Sequence, residues 1–162
     1  MGYLHRWNYK NKEPFHNELL NDVREIIKDY SNVLENVFVS PEFIKFNGVT
    51  GKGCETFILH HENYYNSVKT GTFFVKEYDI VVTSILLTLR YHYPSTEINC
   101  DGLMTCSVNK ETLGVNTYWE NGIKYVRDKF GYEFDRELSS DEYAQEIILL
   151  KPRVVEFIDE TD

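Results

Sequence analysis

Between Asp79 and His92 the chain runs through fourteen positions without Gly or Pro, and the side chains are apolar or small on nearly every side. Ile80, Val81, Val82, Thr83, Ile85 and Thr88 are β-branched and individually favour strand. Length decides against them, because fourteen unbroken residues are long for a strand and ordinary for a helix. Asp79 has the chemistry of an N-cap, which makes Ile80 the first helical residue, and Pro94 stops the helix just past His92. A helix that is apolar all round has no solvent face, so other elements must cover it from several directions. The sequence therefore predicts a buried central helix.

At 162 residues the chain is predicted to be a single domain spanning 1–162, long enough to bury about 70% of its unfolded surface without staples. No apolar stretch approaches the ~18 residues of a membrane span, and the polar, aromatic start MGYLHRWNYKNKE is unlike a secretory signal. These features point to a soluble, cytoplasmic protein. Cys54, Cys100 and Cys106 are odd in number and irregularly spaced, which fits inert thiols in a reducing compartment and not a disulfide framework or a zinc pair. The net charge of −9 is uneven: residues 133–162 hold ten acids against Arg136, Lys151 and Arg153. The expected picture is a nearly neutral body with an acidic arm, frayed over residues 156–162, and duplex nucleic acid is an unfavourable partner for it.

Residues 3–12, YLHRWNYKNK, read as an ordered edge segment or an arm on a partner subunit. After Pro14 and Asn17, the recurrence of Leu19, Leu20, Val23, Ile26, Ile27 and Tyr30 predicts an amphipathic helix ended by Ser31 and Asn32. VFVS, FIKF and ETFILHH are rich in β-formers and separated by turn residues, predicting an antiparallel hairpin or meander. ENYYNSVKTG reads as a polar link, TEINCDG as a short strand that MTCSV pairs with, and Tyr118 to Phe130 as a helix closed by Gly131. Gly122 weakens that helix. Ser139 with Glu142 resembles a capping box, although AQEIILLKPRVVEFI also suits an edge strand. The fold class predicted is α+β, a small antiparallel sheet packed with three to four helices.

No catalytic motif is present, and no catalytic residue, cofactor or metal site is predicted. The loop GVTGKG lacks the spacing of a Walker loop, and His60 and His61, adjacent on a strand, point to opposite faces. An N-cap role accounts for Asp79 without chemistry, leaving an enzyme built on Asp79 or His61 a minor alternative. The bases ahead of the central helix suggest more. Lys69, Thr70 and Lys76 precede its positive end, where an anion is favoured, and Tyr64 and Tyr65 offer stacking surfaces.

Glu55-Thr56-Phe57, Lys69-Thr70, Lys76-Glu77-Tyr78-Asp79 opening an apolar helix, and Cys100-Asp101-Gly102 together resemble a pattern in small uncharacterised proteins of bacteriophages and prophages. In those proteins a "KT…K-P-Y-D" stretch precedes the helix and "S-D-G" follows it; here Glu77 replaces the Pro and Cys100 the Ser. The resemblance implies a phage protein in the host cytoplasm, and analogy with phage biology suggests that it acts by binding. The leading expectation is counter-defence, with capture of a nucleotide-like host immune signal by Lys69, Thr70, Lys76, Tyr64, Tyr65 and Arg90, aided by homo-oligomerisation. The alternatives are inhibition of a host protein through the acidic arm and a structural or assembly role.

Overall fold

The computed structural model describes residues 3–100, 104–105, 114–115, 117–138 and 148–153. The first strand, β1 (Tyr3–Asn8), places His5 and Trp7 inward and Arg6 and Asn8 outward, as the two-residue period of a strand requires. Helix α1 (Asn17–Asp29) buries Leu19, Leu20, Val23 and Ile26. Its N-cap is His16, whose Nδ1 accepts the Leu19 N–H at 3.1 Å. A 3-10 turn (Ser31–Val33) leads into the antiparallel meander of β2 (Leu34–Val39), β3 (Phe43–Gly48) and β4 (Phe57–His60), which is the arrangement the sequence predicts.

Strand β5 (Ser67–Gly71) lies within the stretch expected to be a polar link. Its partner is β1, which also pairs with β6 (Glu97–Cys100). The N-terminal segment is therefore the centre of a three-stranded sheet ordered β5-β1-β6, neither an edge nor an arm. Its alternating aromatics fill the inner face of that sheet. Among the described residues TEINC pairs with β1, and β7 (Met104–Thr105) pairs with β8 (Gly114–Val115).

Helix α2 (Asp79–His92) is the predicted central helix, and every residue from Val81 to Leu89 is fully shielded from solvent. Its two buried threonines are compatible with that burial because they bond to their own helix: Thr88 Oγ1 donates to the Ser84 carbonyl at 2.7 Å and Thr83 Oγ1 to the Ile80 carbonyl at 3.2 Å, whereas the buried Ser84 hydroxyl has no partner among the described residues. Helices α1 and α3 (Thr117–Phe130) pack on it. Gly122 of α3 has a packing role, since a Cβ there would lie 2.5 Å from Thr83 Oγ1. Gly131, at φ 76°, ends α3 as predicted.

Strands β9 (Glu133–Leu138) and β10 (Ile148–Arg153) form an antiparallel pair within the region expected to be an acidic arm. Phe134 and Leu150 are buried in the core, and Arg153 bonds to Glu133 and Asp135. The proposed capping box at Ser139 and the frayed tail at 156–162 lie outside the described residues. The class is α+β, with three helices and ten strands in four small antiparallel sheets among the described residues, richer in β structure than expected. No helix among them is long and apolar enough to cross a membrane.

Candidate functional site

Asp79 does not cap α2. The N-cap position belongs to Tyr78, which makes no side-chain capping bond, and Asp79 is turned into the protein at 3% exposure. Its Oδ1 lies 2.6 Å from His5 Nε2 and accepts a hydrogen bond from Thr70 Oγ1, also at 2.6 Å. His5 and Thr70 are completely buried. Tertiary structure overrides the local capping preference because two buried donors from β1 and β5 converge where the helix begins.

Burial alone would pull the His5 imidazole down in pKa. The hydrogen-bonded Asp79 carboxylate and the neighbouring Cys100 thiol more than offset this and raise it to about 9. That shift favours the protonated imidazole at neutral pH. Cys100 sits directly across the β1–β6 ladder from His5, on the same sheet face. The rings of Tyr3 and Trp119 meet the imidazole edge-on with centroids 4.9 and 5.3 Å away. Hydrocarbon and aromatic surface around an ion pair makes either partner costly to leave alone.

A second contact set braces this centre. Tyr78 donates its hydroxyl to the Glu55 carbonyl at 2.6 Å, with the Lys69 carbonyl 3.2 Å away. The Glu55 carboxylate accepts the Lys69 N–H at 2.7 Å, while the Glu55 N–H donates to the Lys69 carbonyl at 3.0 Å. Three stretches far apart in sequence, around Glu55, Lys69-Thr70 and Tyr78-Asp79, are thereby fastened together at the head of α2.

An open cleft of about 420 Å³ reaches this centre. Lys76, Asn121 and two acids, Glu77 and Asp79, line it together with Tyr30 and Tyr118 and the aliphatic residues Val33, Val75 and Ile80. Both hydrogen bonds to Asp79 end on Oδ1, which leaves Oδ2 without a bond from His5 or Thr70. Lys76 makes no ion pair among the described residues. A neighbouring cleft of about 480 Å³ shares Tyr30, Ile80 and Asn121 and continues along α3 past Lys124 and Lys129.

The six residues expected to bind a ligand do not form one site. Lys76 lines the cleft and Thr70 touches it only through Asp79. Lys69 precedes Thr70 on β5 and is only partly buried between buried neighbours, so its side chain leaves by the opposite face. Tyr64 and Tyr65 are 69% and 52% exposed just before β5 begins, at the end away from Thr70. Arg90 lies near the other end of α2, roughly 16 Å along the axis from Asp79, where its guanidinium bonds to the carbonyls of Leu150 and Thr96. Sequence reasoning missed His5, Tyr30, Tyr118 and Asn121. For His5 a signal was present: Tyr3, His5, Trp7 and Tyr9 alternate with Leu4, Arg6 and Asn8 in the pattern of a half-buried strand.

His60 and His61 also depart from expectation. Strand β4 ends at His60, the alternation stops there, and the two rings stack with centroids 4.9 Å apart. The described residues that gather with metal-ligand spacing are His16, Glu18 and His92.

No protein-family model, curated protein or solved structure matches this chain.

Proposed function

We propose that the protein binds a small, nucleotide-like anion in the cleft at the head of α2. One observation carries this reading: Lys76, Asp79 and the rings of Tyr30 and Tyr118 line the same cleft. A phosphate placed against Lys76 gains a charge-assisted contact and the positive end of α2. A flat ring finds aromatic walls, and a ribose hydroxyl or base amino group finds an acceptor in Asp79 Oδ2. Binding fits this centre better than catalysis, because an imidazole raised to about 9 keeps its proton at neutral pH and cannot serve there as a general base. The resemblance to phage proteins makes sequestration of a host immune nucleotide the biological setting of the proposal.

Thermal-shift screening of mono-, di- and cyclic nucleotides tests the reading. At least one should raise the melting temperature of the wild type, and Lys76→Glu should abolish that rise. Lys69→Glu should leave it intact, because Lys69 leaves β5 on the other face. A panel without any stabilising nucleotide rejects the proposal.

A further inference from the structure

At the opposite end of α2 a second group of side chains converges. His16 precedes the first turn of α1, Glu18 and Asp22 lie within α1, and His92 is the last residue of α2. One potential ligand atom from each of His16, Glu18 and His92 falls within 4.8 Å of the others. His16 Nδ1 is 3.8 Å from a Glu18 oxygen, and the two imidazole rings meet edge-on with centroids 5.0 Å apart. His92 Nε2 lies 2.7 Å from Asp22 Oδ2, which also accepts the Tyr132 hydroxyl. We propose that His16, Glu18 and His92, with Asp22 held against His92, form a site for a divalent transition-metal ion of the zinc type.

The donor set determines the class of ion. Two imidazoles suit zinc, cobalt or nickel, whereas magnesium and calcium prefer an all-oxygen shell. Two carboxylates neutralise the ion, which offsets its unfavourable position at the positive end of α1. Metal–ligand bonds of roughly 2.0–2.1 Å in a tetrahedron set neighbouring ligand atoms about 3.3 Å apart. The group therefore has to draw in only slightly. Glu18 can supply that movement, since its side chain is 83% exposed. Asp22, already against His92, either completes the shell or orients the imidazole from behind.

Coordination has a local consequence. In the structure His16 Nδ1 accepts the Leu19 N–H. An ion on Nδ1 takes the lone pair that makes this bond. An ion on Nε2 leaves the proton on Nδ1, which then cannot accept. Either way the α1 cap is released when metal binds, and the Leu19 amide reports it. Head of α1 and tail of α2 would be clasped by the ion, far along α2 from the cleft, so this site stands or falls independently of nucleotide binding.

The test is titration of chelator-treated full-length protein with Co²⁺ and then Zn²⁺, followed by visible absorption, calorimetry and amide NMR. One equivalent of Co²⁺ should give the intense bands of a four- or five-coordinate ion, Zn²⁺ should displace it, and the Leu19 amide should move. Glu18→Gln, on an exposed side chain, and His16→Asn, which keeps a capping oxygen, should each weaken binding at least tenfold while the protein stays folded. Absence of saturable binding, a shell that stays octahedral, an unmoved Leu19 amide, or affinity unchanged in both variants would overturn the proposal.

Discussion

His5 and Asp79, 74 positions apart, meet at 2.6 Å with both side chains almost wholly removed from solvent. The contact joins the middle strand of the β5-β1-β6 sheet to the first residue of the central helix. It sets the orientation of the carboxylate that lines the cleft.

Removing one partner should therefore cost far more than removing both. Asp79→Ala leaves a buried imidazole unpaired and should lower stability by about 3–5 kcal/mol. His5→Leu combined with Asp79→Leu should lose less than the two single changes added together. Urea denaturation measures both, and a loss under ~1 kcal/mol for Asp79→Ala would show the pair to be energetically idle.

Alkali should weaken the fold through the same pair. The folded chain holds the His5 proton up to about pH 9, whereas the unfolded chain releases it near pH 6.5. The stabilisation is complete below about pH 6.5 and disappears as pH rises through 9, an effect on the order of 3 kcal/mol. Urea midpoints between pH 6 and 9.5 should fall more steeply for the wild type than for His5→Gln. Parallel pH profiles would contradict this assignment.

Gly122→Ala should destabilise the protein despite alanine's better helix propensity. The added Cβ would sit 2.5 Å from Thr83 Oγ1 and 3.1 Å from Thr83 Cβ, forcing α3 away from α2 at a cost of about 1–3 kcal/mol. Thr83→Ala in the same chain should recover part of the loss. An unchanged melting temperature for Gly122→Ala would show that the helices can part without strain.

Leu86, completely buried in α2, tests the central helix. Leu86→Ala should cost about 2–5 kcal/mol by opening a cavity, and a denaturant midpoint equal to that of the wild type would contradict its burial.

Local signals made the helices legible. The uninterrupted apolar run, the periodic leucines of α1 and the Gly131 stop each depend on neighbours in sequence, and all three helices lie within a residue or two of their expected bounds. Strand pairing was less legible. Nothing in residues 3–12 reveals that partners at 67–71 and 97–100 will flank them, because a ladder is fixed by contacts distant along the chain. The site failed to show for the same reason. Asp79 has every local property of an N-cap, and only the arrival of His5 and Thr70 turns it inward. That Lys76 stands beside the head of α2 was legible because the positive end of a helix is a local feature. Arg90 was misplaced because its distance along α2 separates it from that end.

The most direct test of cleft binding is calorimetry with the nucleotide that stabilises the wild type most. Each charge-assisted contact contributes about 1.5–3 kcal/mol, so Lys76→Glu should weaken binding at least tenfold. Tyr118→Ala, which removes one aromatic wall, should also weaken it. Lys69→Glu, whose side chain leaves by the other face of β5, should bind as the wild type does. Equal affinity in the wild type and Lys76→Glu, or a loss confined to Lys69→Glu, would contradict the location of the site.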